Sequence, residues 1–204
     1  TRADYILKDY NRWFAYVLLF LAVSAGHVFS ALYVRDNLLV PFKVGSASMY
    51  PSLLRGDQMF ADKTAYRDRN PAAGDIVVFY NPENRNEDYI KRVVALEGDT
   101  VEIREGQLYI NGTRLKREEI PLPAGLPALP DGEAKYFYEY NRKASYRIRL
   151  VTSPHARFRD LPSTVVPKYK CFVLGDNRDD SLDSRSYGTI PIATDKPGTV
   201  FDAA

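Results

Sequence analysis

Residues 75–96 read DIVVFYNPENRNEDYIKRVVAL, and this stretch decides the fold class. It holds two runs rich in β-branched and aromatic residues, 75–80 and 89–96, and the first run ends at the turn-forming pair Asn81-Pro82. Short runs of this composition, closed by turn signals, predict β-strands instead of helices. The stretch therefore indicates a domain built mainly from sheet.

Further turn-bounded runs continue this pattern along the chain. The segments that we predict as strands are 101–103, 107–110, 136–140, 145–151 and 170–174. Residues 121–132, PLPAGLPALPDG, have neither a helical nor a strand period and are predicted to form a loop. With 13 prolines and 12 glycines, short strands are favoured over a helical bundle. We expect one mainly β domain from 35–103 and 169–204, with an inserted β subdomain at 104–168.

The composition argues against several classes of protein. The formal net charge is +2 and no dense block of Lys and Arg appears, so nucleic acid is not an expected partner. The 2 histidines and 1 cysteine form no cluster, so we expect neither a metal site nor a cofactor. The single cysteine, Cys171, lies beside Phe172 and Val173, where a small buried hydrophobic residue is the expected role.

The segment 13–34, WFAYVLLFLAVSAGHVFSALYV, contains no Asp, Glu, Lys or Arg. A helix needs about 20 apolar residues to cross a bilayer, whereas the apolar part of a cleaved signal peptide has about 7–15. We therefore expect an uncleaved, single-pass transmembrane anchor. Basic residues before the span favour a cytoplasmic tail at 1–12 and place the chain after Arg35 outside the bacterial inner membrane, on the periplasmic or extracytoplasmic side.

One titratable side chain, His27, lies within the span. Such a group is a functional candidate by default. A neutral imidazole bonded to a neighbouring backbone carbonyl explains it equally well, and we favour that interpretation.

A serine-containing segment at 45–53, GSASMYPSL, precedes the predicted strands. Small residues surround Ser48, so a substrate backbone could approach closely. Pro51 prevents the segment from continuing as an ordinary central strand. Taken alone the segment is weak evidence, because serine-rich turns are common and mostly structural.

The strand at 89–96 carries a lysine in an apolar setting. Side chains alternate along a strand, so Lys91 shares a face with Tyr89 and Val93, while Arg92 takes the opposite face. The lysine stem could lie along apolar surface with its ammonium in water. Alternatively, burial could lower the pKa of Lys91 until the neutral amine accepts the proton of a serine hydroxyl.

A third segment, GDNRDDSLDSR at 175–185, is dense in charge. It could be a solvated turn. Because arginine binds carboxylates in a rigid fork, its acids and arginines could instead lock the loop beneath an active site. Composition does not decide between these interpretations.

At these residues the chain resembles the bacterial type I signal peptidases, the S26 family of serine proteases with a Ser-Lys dyad. GSASMYPSL, GDIVVFYNP, YIKRVVALEGD and GDNRDDSLDSR follow a hydrophobic anchor in the order of that family's signature motifs. The resemblance spans 13–188 and is loose across 104–168. It implies a signal-peptidase-like β-barrel or β-sheet catalytic domain, preceded by one transmembrane helix.

The resemblance also implies roles for individual residues. Ser48 would be the nucleophile and Lys91 its general base. Ser46 would donate its hydroxyl to the oxyanion together with the Ser48 N–H, and Ser181 would hydrogen-bond and orient the lysine amine. The residues expected to brace the site are Asp176, Arg178, Asp183 and Arg185. The residues expected to form shallow substrate pockets are Val44, Met49, Leu53 and Ile90.

The function implied is that of a membrane-bound serine endopeptidase that removes signal peptides from exported preproteins, cutting after small residues. Its partners would be those preproteins and membrane lipid. Two departures from the family pattern stand at the serine segment: Ala47 replaces a usual glycine, and Gly45 stands where proline is common. Both affect the strand expected to receive the substrate.

Three alternatives compete with this interpretation. A specialised relative with the same chemistry would mature a conjugation or secretion component. A self-cleaving repressor protease would need a DNA-binding helix-turn-helix where the membrane span lies, so we reject it. A membrane-tethered β domain that binds partners would retain the motifs without catalysis.

Overall fold

The structure is a computed structural model, and it describes residues 12–84, 86–130, 132–152, 160–192 and 200–203. The predicted cytoplasmic tail at 1–12 lies outside the described residues apart from Arg12. The chain divides into two units, the first ending at Val40 and the second beginning at Pro41.

The first unit contains helix α1, Trp13–Asn37, which has 25 residues and buries none of them. At about 1.5 Å per residue, the helix is long enough to cross the roughly 30 Å of a bilayer's hydrocarbon layer, and its composition is apolar enough to do so. It covers the predicted span at 13–34 and continues for one further turn. His27 Nδ1 lies 2.8 Å from the carbonyl oxygen of Val23, so its ring contacts a neighbouring backbone carbonyl as expected.

Strands dominate the rest of the chain, as the sequence predicts. The first seven are β1 (Leu39–Lys43), β2 (Gln58–Asp62), β3 (Ile76–Tyr80), β4 (Asp88–Ala95), β5 (Thr100–Arg104), β6 (Gln107–Ile110) and β7 (Thr113–Arg114). The others are β8 (Lys116–Ile120), β9 (Ala134–Asn141), β10 (Ala144–Val151), β11 (Leu161–Val165), β12 (Lys170–Leu174), β13 (Ile190–Pro191) and β14 (Val200–Ala203), with a short helix α2 (Ser184–Tyr187).

The strands form three sheets. A seven-stranded sheet has the order β1-β2-β14-β3-β4-β12-β13, a four-stranded sheet the order β11-β5-β6-β7, and a three-stranded sheet the order β10-β9-β8. The second and third sheets come from the region around the predicted insert at 104–168, whose boundaries stay a prediction. Between 121 and 130 the structure has no strand, in agreement with the predicted proline-rich loop.

Strand β4 lies in the middle of the largest sheet. It pairs antiparallel with β3, where Val77 is opposite Lys91, and with β12, where Val173 is opposite Val93. These three valines are fully buried and pack with Cys171 in one apolar cluster. Cys171 is thus a buried hydrophobic residue as predicted, and desolvation raises the pKa of its thiol to about 12.

Candidate active site

Ser48 lies in a tight turn that is held from both sides. The N–H of Tyr50 donates to the Ala47 carbonyl at 3.0 Å, and the Tyr50-Pro51 peptide bond is cis. Met49 is buried beneath the turn with 1% of its surface exposed. The Tyr50–Ala47 hydrogen bond and the buried Met49 side chain fix the backbone that presents the serine hydroxyl.

Ser48 and Lys91 meet in the interior although 43 residues separate them. The Nζ atom of Lys91 lies 2.9 Å from the Oγ atom of Ser48, and it donates to the carbonyl oxygen of Ile90, also at 2.9 Å. The Lys91 Nζ atom also lies 5.1 Å from the centre of the Tyr89 ring, so these two side chains share one face of β4, as strand alternation predicts. The amine is therefore held by two polar contacts, one to the Ser48 hydroxyl and one to the Ile90 carbonyl.

The burial of Lys91 decides between the two interpretations that the sequence leaves open. The residue is only 4% exposed, so its side chain lies in the interior instead of extending into solvent. Desolvation lowers the pKa of Lys91 from 10.5 to about 8, although the carboxylates of Asp183 and Asp176 oppose the change. Near neutral pH a useful fraction of the amine is therefore unprotonated, as a general base requires.

Ser46 places a second hydroxyl beside the nucleophile. Its Oγ atom lies 3.0 Å from Ser48 Oγ, and the Ser48 N–H donates to it at 3.4 Å. The Ser46 hydroxyl therefore lies close to both the side chain and the backbone N–H of Ser48. Two such donors are what an oxyanion formed at this serine needs.

Ser181 differs from its expected role in one respect. Its Oγ atom is buried and has no hydrogen-bond partner among the residues that the structure describes, so the expected bond to Lys91 is not formed. The amine is already engaged by Ser48 and Ile90, and the Ser181 side chain packs against Gly175. A Cβ atom added at Gly175 would lie 2.2 Å from Ser181 Oγ and 2.5 Å from the Ser48 carbonyl oxygen, so only glycine fits there.

Asp183 and Arg185 form the lock expected within the charged loop. Arg185 Nε donates to Asp183 Oδ1 at 2.8 Å, and Arg185 Nη2 donates to Oδ2 at 2.7 Å. The same carboxylate accepts the N–H of Gly175 at 3.0 Å. Asp183 is completely buried, so this pair is part of the interior and not a solvated turn.

Asp176 and Arg178 are also braces, but their partners lie outside the loop. Asp176 accepts from Arg92 Nε at 2.7 Å and from Arg92 Nη2 at 2.6 Å. Arg178 binds Glu139 of β9 with both terminal nitrogens. Sequence reasoning missed both partners; the available signal for Arg92 was an arginine facing away from Lys91 within an otherwise apolar strand.

Asn177 is a further site residue that sequence reasoning missed. Its N–H donates to the Ser48 carbonyl at 3.1 Å, and its side-chain amide donates to the Ala47 carbonyl at 3.2 Å. The charged loop is therefore bonded directly to the segment that carries the nucleophile.

A cleft of about 760 Å³ opens over the Ser48–Lys91 pair. Three of the four residues predicted as substrate pockets, Val44, Met49 and Ile90, line it, as do Ser46 and Ser181.

The fourth predicted pocket residue, Leu53, is not among the residues that line this cleft, and its role stays a prediction. Its N–H donates to the Met49 carbonyl at 3.0 Å, within the turn that follows Ser48. The described residues contain no group of three or more His, Cys, Asp or Glu side chains arranged to hold a metal ion.

Comparison with known proteins agrees with these motifs. The model of the family described as signal peptidase, peptidase S26, matches residues 11–196. The chain belongs to this family. Within the S26 match lie the buried Ser48–Lys91 pair and the whole charged loop at 175–185.

Among the relatives of this S26 member, signal peptidase I of Pseudomonas aeruginosa is 34% identical over 193 residues, covering 86% of this chain and 64% of that protein. Thylakoidal processing peptidase 1, chloroplastic, of Arabidopsis thaliana is 32% identical over 192 residues, covering 89% of this chain and 45% of that protein. The chain thus spans less than two thirds of the length of either relative. The crystal structure of a signal peptidase I from Enterococcus faecalis V583 covers 64% of this chain and 97% of its own, with 28% identity and a TM-score of 0.36.

Proposed function

We propose that the chain is a membrane-anchored serine endopeptidase that removes signal peptides from exported preproteins and cuts after small residues. One observation carries the proposal: a desolvated amine, Lys91 Nζ, lies 2.9 Å from the hydroxyl of Ser48. A lysine that has lost its charge can replace the histidine of other serine proteases as the base. Membership of the S26 family supports signal peptides as the substrate.

The first half of the reaction forms an acyl-enzyme. The neutral Lys91 amine takes the proton of the Ser48 hydroxyl as Ser48 Oγ bonds to the scissile carbonyl carbon. The negative charge that develops on the carbonyl oxygen is stabilised by the Ser48 N–H and the Ser46 hydroxyl. When the peptide C–N bond breaks, the Lys91 ammonium gives its proton to the leaving amine, and the mature protein departs.

The second half of the reaction releases the signal peptide. Lys91, neutral again, takes a proton from a water molecule that attacks the ester carbonyl of the acyl-enzyme. The same two donors stabilise the second oxyanion. As the ester bond breaks, the proton returns to Ser48 Oγ, and the signal peptide leaves with a new carboxylate.

We assign the chain to the bacterial inner membrane, with the β domain on the periplasmic or extracytoplasmic side. Helix α1 supports a single-pass anchor in contact with lipid, since it is apolar over its length and exposes its side chains. The basic residues that precede it support the orientation.

The reaction itself is tested by incubating the detergent-solubilised protein with a preprotein and measuring the masses of the products. We expect one cut after a small residue at the end of the signal peptide. The absence of any cut by the wild-type protein would favour the non-catalytic binding domain. A cut confined to a pilin-like or secretion-system substrate, with ordinary preproteins left intact, would favour the specialised relative.

The pH dependence of the reaction should follow the titration of Lys91. The base is active only when neutral, and burial lowers its pKa to about 8. We therefore expect kcat/KM to rise with pH, about tenfold per pH unit below that value, and to level off above it. A midpoint near 10.5, the ordinary value for lysine, would contradict a desolvated base.

Ser46→Ala should slow the reaction without stopping it. The change removes one of two oxyanion donors, which costs about 10²–10³ in kcat. KM should be nearly unchanged, because this hydrogen bond forms fully only in the transition state. Ser145→Ala, at an exposed position on β10, is the matched control and should retain wild-type kcat. A Ser46→Ala variant with the same kcat as this control would remove Ser46 from the oxyanion hole.

A further inference from the structure

A buried carboxylate on β9 takes no part in the reaction described above. Glu139 is completely buried. Its Oε2 atom accepts from Arg117 Nε at 2.7 Å and from Arg178 Nη1 at 3.1 Å. Its Oε1 atom accepts from Arg178 Nη2 and, at 3.1 Å, from the hydroxyl of Tyr146. Both oxygens are therefore engaged within the interior.

Glu139 keeps its charge in this setting. Burial by itself raises the pKa of Glu139, but Arg178 and Arg117 outweigh that effect and hold it at about 2. Compared with apolar groups of the same size, a buried ion pair contributes little net stability. It does impose direction, because the planar guanidinium fits a carboxylate in a rigid fork. Glu139 therefore determines where the Arg178 side chain lies.

Arg178 in turn lies at the centre of the charged loop, residues 175–185. Its Nε donates to the Gly175 carbonyl at 3.1 Å, and its backbone N–H donates to the Arg149 carbonyl at 3.0 Å. Its own carbonyl accepts from Arg185 Nη2 at 2.6 Å. Arg178 thus joins the start of the loop, its end and strand β10, the first of these through its side chain.

The charged loop reaches the nucleophile on one side. The Asn177 N–H is bonded to the Ser48 carbonyl at 3.1 Å, and the Asn177 amide is bonded to the Ala47 carbonyl at 3.2 Å. A displacement of the loop therefore moves the backbone of the serine segment.

On its other side the loop reaches the strand of the base. Asp176 holds Arg92 through two hydrogen bonds of 2.7 and 2.6 Å, and Arg92 follows Lys91 on β4. Because Arg92 is buried, this pairing constrains the strand as well as the side chain.

We propose that Glu139 is a positioning residue for the Ser-Lys dyad. Through Arg178 it fixes the charged loop, and through that loop it keeps Ser48 and Lys91 within hydrogen-bonding distance. The inference rests on the proposed function, because it assigns a role in that same reaction. It also gives the strands around β9 a part in catalysis, although none of them reaches the cleft lining.

The test compares Glu139→Gln, which keeps the shape and removes the charge, with Asp99→Asn. Asp99 is another buried carboxylate of this domain. It is bonded to Arg142 in the β9–β10 turn and to Asn111, both outside the charged loop. Each variant is assayed for kcat and KM, for its thermal unfolding midpoint, and for hydrogen exchange of the peptides covering 175–185.

For Glu139→Gln we expect kcat to fall about 10–100-fold with KM within about twofold, because small misplacements of reacting groups act on the chemical step. Amides of the loop should exchange about tenfold faster or more. Asp99→Asn should lose thermal stability yet keep kcat and loop exchange. Glu139→Asp, which keeps the charge, should recover part of kcat.

Wild-type kcat and loop exchange in Glu139→Gln would overturn the inference, as would an equal loss of kcat in Asp99→Asn. If Glu139→Gln does not fold, Arg178→Lys takes its place, because lysine cannot form the two-pronged contact with Glu139. Wild-type kcat and loop exchange in that variant would overturn the inference. If the wild-type protein cleaves nothing, the proposed function fails, while the exchange measurement still decides whether Glu139 holds the loop.

Discussion

We expect Ser48→Ala to abolish cleavage of a preprotein by the detergent-solubilised protein. Removing the nucleophile of a serine protease lowers kcat by about 10⁶, because no acyl-enzyme can form. Ser48 is only 9% exposed and its Oγ contacts two other polar side chains, so the loss of one oxygen leaves a small polar gap and no unpaired charge. The fold should survive the change.

The measurement is the rate of product formation, followed by mass spectrometry, with thermal unfolding of the same preparation as the check on folding. Ser186→Ala is the matched control, since Ser186 is an exposed serine on α2. We expect wild-type activity in the control. Retained cleavage by a folded Ser48→Ala variant would remove the assignment of the nucleophile and return the chain to the class of binding domains.

Lys91→Met should be nearly as damaging. Methionine keeps the apolar stem of the side chain and lacks the amine, so the Ser48 hydroxyl loses the group that removes its proton. We expect kcat to fall by at least about 10⁴, which is the size of the effect when a catalytic base or its orienting partner is lost. Unlike Ser46→Ala, this change should leave no pH-dependent limb near 8 in the residual rate.

The same variant separates the catalytic role of Lys91 from a structural one. Desolvation lowers the pKa of the buried amine, and that penalty on its charged form disappears in methionine. The thermal unfolding midpoint of Lys91→Met should therefore equal or exceed that of the wild type at pH 7. Lys116→Met, at an exposed lysine on β8, serves as the control. If Lys91→Met is inactive because it is unfolded, Lys91→Arg is used to test the catalytic role instead. Arginine keeps a positive charge but cannot act as a base.

Sequence reasoning succeeded where the physics is local. The alternation of side chains along a strand placed Lys91 with Tyr89 and Val93, and the contact of the Lys91 amine with the Tyr89 ring agrees. The apolar run at 13–34 predicted helix α1, since length and composition alone define such a segment.

Sequence reasoning failed where a contact joins residues that are far apart in the sequence. No pattern within YFYEY indicates that Glu139 meets an arginine 39 residues away, because that contact depends on how separate sheets pack. Nor does any local pattern in 45–53 indicate that Leu53 is absent from the cleft lining while Met49 is part of it. Even the approach of Lys91 to Ser48, separated by 43 residues, came from the family resemblance and not from any local period.

The neighbouring positions of Lys91 and Arg92 on β4 have a consequence for how this region tolerates change. Lys91 faces Ser48, and Arg92 is bonded to Asp176. Because side chains alternate between the two faces of a strand, β4 holds the base on one face and a brace of the charged loop on the other. A single-residue insertion or deletion inside β4 would send the guanidinium toward Ser48 and the amine toward a carboxylate. Length variation between homologues should therefore be confined to the connection between β3 and β4, with none inside the strand itself.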